Sequence, residues 1–136
     1  MVDVEIVGAD IAAELPPGPQ IERLCLVALA SGGVKDGHVA IEFVSEQRIC
    51  ELNEQYRGKS GPTDVLSFPI DGAEPIGAGA RELGDVVICP VHTEDISEAI
   101  VHGTLHLIGM DHESDEGEML ALQRELLAWE RRATAP

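Results

Sequence analysis

Histidine occupies positions 102, 106 and 112 of this 136-residue chain, in the run His102-Gly-Thr-Leu-His106-Leu-Ile-Gly109-Met-Asp-His112. Residues four apart on an α-helix stand one turn apart on the same face, so the first two imidazoles can reach a single point. Gly109 can adopt the positive φ that ends a helix and turns the chain back. That turn could bring His112 to the same point from another direction. Three neutral imidazoles with an open fourth position are the donor set of a catalytic zinc rather than a closed structural one. Imidazole also accepts nickel, copper or iron, so the pattern leaves the metal open. Any one of these histidines alone would read as a surface or core residue; three of only five at these spacings do not. His38, at the start of a strand, and His92, ahead of a helix, read as structural or solvent-facing.

The spacing matches the extended zinc-protease pattern H-E-x-x-H-x-x-G-x-x-H with one change. The position after the first histidine holds Gly103, so the glutamate that serves those enzymes as general base is absent. A glycine takes no proton, which argues against peptide hydrolysis by that route.

The rest of the chain supplies a frame for such a helix. Val2 to Val7 alternates apolar and acidic residues and reads as a strand. Ile21 to Ala30 reads as an apolar helix, and His38 to Val44 as a second strand ending at Ser45, an N-cap residue type. A helix follows with Ile49, Leu52 and Tyr56 on one face. Val65–Phe68 and Val86–Cys89 read as short strands on either side of Asp71 to Ala80, a loop of turn formers and small residues that makes a candidate mobile flap. Asp95-Ile-Ser-Glu98 fits a capping box opening a helix to about Leu107. A final helix begins near Ser114 with Met119, Leu122, Leu126 and Trp129 on one side. The acidic run from Asp111 to Glu118 suits that helix's N-terminus better than a second metal site. Strands and helices in these proportions, with the helices concentrated late, give an α+β domain spanning 1–136.

Composition narrows the function. Hydrophobic residues make up 44% of the chain, enough for a core. Nine basic against 25 acidic residues leave a formal net charge of -16, which argues against coating duplex DNA or RNA by bulk charge. The acidic N-terminus lacks the basic region of a signal peptide. The longest apolar stretch, Leu24 to Ala30, falls far short of the roughly 20 residues of a membrane span. A cytoplasmic location is the expectation. Cys25, Cys50 and Cys89 are odd in number and widely spaced, so they read as reduced, mostly buried small hydrophobes.

Two of the few cations, Arg57 and Lys59, fall at the end of the second helix just before a strand. Complementing the helix dipole is one explanation. The other is phosphate: a guanidinium facing the metal suits a phosphodiester, whose transition state spreads charge over its equatorial oxygens. Asp111, beside the third histidine, reads equally as an acceptor orienting an imidazole or as a solvated turn residue.

Tyr56-Arg57-Gly58-Lys59, then Pro62-Thr-Asp-Val-Leu-Ser-Phe-Pro69, Leu83-Gly-Asp-Val-Val-Ile-Cys89 and the His102–His112 run together resemble the YbeY family of bacterial endoribonucleases. The likeness runs in order from about Leu52 to the C-terminus, with weaker agreement before it. The resemblance implies a zincin-like α+β fold with a mixed four-stranded sheet and a metal, with Zn2+ the expected ion, on His102, His106 and His112. It implies that Arg57 is functionally required; Lys59, two residues further on, is by its charge a second candidate phosphate contact. It also implies cleavage of single-stranded RNA, maturation of the 3′ end of small-subunit ribosomal RNA and ribosome quality control. The strongly acidic charge balance, in turn, suits docking on basic proteins of the small subunit. Two departures stand out. Ser60-Gly61 replaces an acidic and often a basic residue, and Pro90 to Val101 is shorter than the family's segment, trimming a helix and loop beside the cleft. Two other functions stay open: a metal hydrolase of another substrate such as a peptide, and a metal-stabilised ribosome-associated factor without catalysis.

Overall fold

The computed structural model describes residues 1–70 and 81–134, and the candidate flap at 71–80 lies outside the described residues. Four strands among them form one sheet: β1 (Val2–Val7), β2 (Gly37–Phe43), β3 (Val65–Pro69) and β4 (Glu82–Ile88), in the order β1-β2-β4-β3. β1 pairs parallel with β2, and β2 parallel with β4, while β3 runs antiparallel along the outer side of β4. The sheet is therefore mixed, as the family resemblance implied.

Parallel neighbours need crossovers, and helices provide them. α1 (Gly18–Ser31) links β1 to β2, and α2 (Glu46–Arg57) leaves β2 toward β3. α3 (Ile96–Leu107) and α4 (Glu118–Thr134) follow the sheet. Alternation along the strands sorts two cores. Val39, Ile41, Phe43, Val86 and Ile88 pack with Ile21 and Leu24 of α1, Ile100 and Leu105 of α3, and Met119 and Leu127 of α4. On the opposite face Val44, Leu66, Val87 and Cys89 pack with Ile49 and Leu52 of α2. α3 is thus held between the sheet and two helices, and Ser67 Oγ on β3 donates to the Gly103 carbonyl at 2.9 Å.

Both anticipated caps form. Ser45 accepts from the Arg48 N–H at 3.2 Å, and Asp95 from the Glu98 N–H at 3.1 Å. β4 starts earlier than Val86, because pairing on both sides outweighs the poor strand propensity of Gly84 and Asp85. α4 starts later than Ser114, at Glu118. Asp115 explains the delay: its carboxylate accepts from the Gly117 N–H at 2.8 Å and the Met119 N–H at 2.9 Å, capping the helix from outside. Trp129, expected on the buried side, is 52% exposed. The buried stripe of α4 runs instead through Met119, Gln123, Leu127 and Glu130. Glu130 is tolerated there because Arg23 Nε donates to it at 2.9 Å.

The cysteines are free, with Cys25 and Cys89 buried and Cys50 partly so. Burial pushes the Cys25 thiol up to about 12, which keeps it protonated and inert.

A candidate metal centre

His102 and His106 lie on the face of α3 that looks into a cleft of about 1190 Å³. One wall of the cleft is the edge strand β3, and another includes Arg57 at the last turn of α2. The chain enters α3 from β4 through only a short helical turn, Pro90–His92. His92 lines the cleft, but its Nε2 is held by Glu46 at 3.0 Å.

The end of α3 carries out the turn that Gly109 suggested. The Gly109 N–H donates to the His106 carbonyl at 3.0 Å and the Met110 N–H to that of Leu105 at 3.1 Å, the two bonds of a Schellman cap. Gly109 sits at φ 96, a conformation that costs a side-chain-bearing residue. Reversal of the chain there brings His112 onto the other two. One nitrogen from each of the three rings falls within 4.8 Å of the others, and the ring centroids lie 4.7, 5.0 and 5.3 Å apart.

The hydrogen bonds decide which nitrogens are available. His102 Nδ1 meets Gln123 Oε1 at 2.8 Å, and His106 Nδ1 meets the Met110 carbonyl at 2.9 Å. Those oxygens only accept, so each neutral ring carries its proton on Nδ1 and a lone pair on Nε2. The two Nε2 atoms face each other at 3.2 Å. Lone pairs that close repel unless a cation lies against both. Burial, followed by the neighbouring His102, lowers the His106 pKa and favours its neutral, ligating form. The buried Nδ1 of His112 has no hydrogen-bond partner among the described residues. The donor set fits a divalent metal.

Sequence reasoning missed Gln123, whose side chain is buried against α3. It lies off the apolar stripe read for α4, and its use appears only where α4 packs on α3, bringing it to His102 from 21 residues away in the chain. Asp111 lines the cleft, yet its carboxylate accepts from the Glu113 N–H at 3.0 Å rather than from a histidine. That bond, ahead of weaker influences, lowers its pKa. Arg57 lines the same cleft as the triad, while Lys59 is exposed on the loop beyond α2 and is not among the cleft-lining residues. Gly103 has a packing reason: a Cβ there would lie 2.5 Å from Val86 Cγ1 and 3.1 Å from Ser67 Oγ.

A mixed α+β domain with three convergent histidines on a helix and its following turn presents a candidate metal site of the kind that hydrolases use. The family model described as Endoribonuclease YbeY matches residues 20–129. The chain is 39% identical to Endoribonuclease YbeY of Xanthomonas euvesicatoria pv. vesicatoria, over 93% of this chain and 88% of that one. It is 33% identical to the Endoribonuclease YbeY of Macrococcus caseolyticus, over 93% and 94%. The solution structure of TM1509 from Thermotoga maritima superposes with a TM-score of 0.57 at 28% identity, covering 96% of this chain and 90% of that one. The chain belongs to the YbeY endoribonuclease family.

Proposed function

We propose that this protein is a metal-dependent, single-strand-specific endoribonuclease that matures the 3′ end of small-subunit ribosomal RNA in the cytoplasm and takes part in ribosome quality control. The observation that carries the metal-dependent chemistry is the pair of Nε2 lone pairs 3.2 Å apart in a cleft shared with Arg57. The ribosomal RNA substrate rests on family membership.

His102, His106 and His112 would hold the ion, with Zn2+ favoured by three neutral imidazoles and an open position. When bound, the metal supplies a Lewis acid that acidifies water and draws charge from a phosphoryl oxygen. Gln123 and the Met110 carbonyl keep two of the rings in the ligating tautomer. Arg57 binds the scissile phosphate and balances the charge that grows on it. Lys59 offers a second cation to the strand outside the cleft. Asp111 acts on the centre by holding the turn that carries His112. The acidic surface, at -16 overall, suits docking on basic small-subunit proteins, which would deliver an RNA that bulk charge alone would repel.

Gly103 weighs against the peptide-hydrolase alternative. The position lacks a base, and the sheet leaves no room for one.

The test is cleavage of a labelled single-stranded RNA spanning a small-subunit 3′ end by wild type, His102→Ala and Arg57→Ala, with bound metal quantified in each. Cleavage by wild type alone, with Arg57→Ala still metal-loaded, is the expected result. Identical residual cleavage in all three, despite metal loss in His102→Ala, marks a contaminant and leaves the non-catalytic factor standing.

A further inference from the structure

The sequence period places Tyr56 on the buried face of α2 with Ile49 and Leu52, but the ring is not in the core. It is 59% exposed, and Asn53 takes the buried position. Asn53 Nδ2 donates to the Gly61 carbonyl at 3.0 Å, tying the end of α2 to the loop that follows. Tyr56 lines the metal cleft beside Arg57 and meets Phe68 of β3 edge-on, with ring centroids 5.0 Å apart and an interplanar angle of 68°. Phe68 is itself packed against the Leu66–Val87 cluster, so the tyrosine leans on a fixed support. The contact with Phe68 occupies one edge of the ring and leaves most of the side chain open to the cleft.

We propose that Tyr56 is a stacking site for an unpaired nucleobase, with the adjoining phosphate on Arg57. This deepens the endoribonuclease reading and rests on it. The charges of the cleft favour such a mode. Asp64, Glu94, Asp95, Glu98, Asp111 and Glu113 line it against the single guanidinium of Arg57, so a long track of phosphates gains little there. A base has a π-face and no charge, and aromatic stacking is indifferent to which base it is. The faces of paired bases are covered by their neighbours in a duplex, so a stacking site beside the metal selects single strands.

Tyr56 is the sole tyrosine, and the sole tryptophan, Trp129, lies in a separate groove between α1 and α4. In a Trp129→Phe background, Tyr56 emission therefore reports stacking directly. The probe is a short single-stranded 2′-O-methyl oligoribonucleotide, compared with an abasic version and with the duplex. Saturable quenching by the single strand is expected, with much weaker quenching by the other two. Affinity should fall about 5- to 150-fold in Tyr56→Ala, the range for loss of one stacked base, and survive in Tyr56→Phe. Equal affinity in wild type and Tyr56→Ala, with RNA still cut and KM unchanged, overturns the stacking site and leaves the nuclease intact. Absence of both binding and cleavage in wild type overturns both readings together.

Discussion

The histidine triad and the lone His38 receive opposite treatment in this molecule. At the end of α3 the ring nitrogens of His102 and His106 face an amide oxygen and a backbone carbonyl. On the outer face of the sheet, His38 lies between two carboxylates, Glu82 at Nδ1 and Glu5 at Nε2, the latter at 3.0 Å. A neutral acceptor fixes a tautomer without adding charge, so the other nitrogen keeps a lone pair for a cation. Carboxylates on both nitrogens reward a proton on each, so neither nitrogen of His38 keeps a lone pair for a metal and the charged ring is favoured. Accordingly, burial lowers the His106 pKa, while the Glu82 hydrogen bond, and then that of Glu5, raises that of His38. What surrounds a histidine decides whether it can hold a metal.

The largest effect should come from taking a ring out of the triad. His106→Ala is expected to lose metal affinity by more than the roughly 100-fold that outer partners contribute, as measured by chelator competition. His38→Ala should bind metal like wild type. Equal losses in the two variants would erase the distinction between the triad and His38.

Replacing the neutral acceptor comes next. Gln123→Leu should weaken metal binding about 10- to 100-fold, while Gln123→Glu, which keeps an acceptor, should largely retain it. Unchanged affinity in the leucine variant would show that the tautomer is set elsewhere.

A smaller effect is expected where α3 seats on the sheet. Gly103→Ala gains about 1 kcal/mol of helix propensity and loses about 1–3 kcal/mol to the collision with Val86. Urea denaturation should therefore register a net loss below about 2 kcal/mol, with metal stoichiometry unchanged.

The smallest belongs to His38. Its native pKa lies above the value of about 6.5 in the unfolded chain, so the folded protein binds that proton more tightly. The resulting stability is complete below the unfolded value and disappears as pH rises through the native one. The advantage of wild type over His38→Gln in urea midpoint should therefore be greatest in mild acid and narrow as pH rises. A constant difference across that range would mean that the pairing does not depend on charge.

Much of the frame was legible residue by residue. Ser45 and Asp95 cap the helices they were expected to cap, Gly109 turns the chain, and β1 alternates as its pattern predicts. The buried stripe of α4 was harder, because two of its members are polar. Gln123 and Glu130 look like surface residues until His102 and Arg23 come to meet them. Tyr56 erred in the opposite direction, an aromatic at a core spacing that the fold leaves in the open.

The sequence by itself determined the kinds of elements, the histidine spacing and the turn that returns the third ring. Each depends on backbone preferences and side chains within a few residues of one another. Only the tertiary structure decided that Gln123 faces His102, that Gly103 rests on Val86, and that Tyr56 and Arg57 open into the cleft of the triad. Those pairings join residues from separate helices and strands. A hydrogen-bond acceptor or a neighbour's bulk becomes part of a site only when packing brings it there.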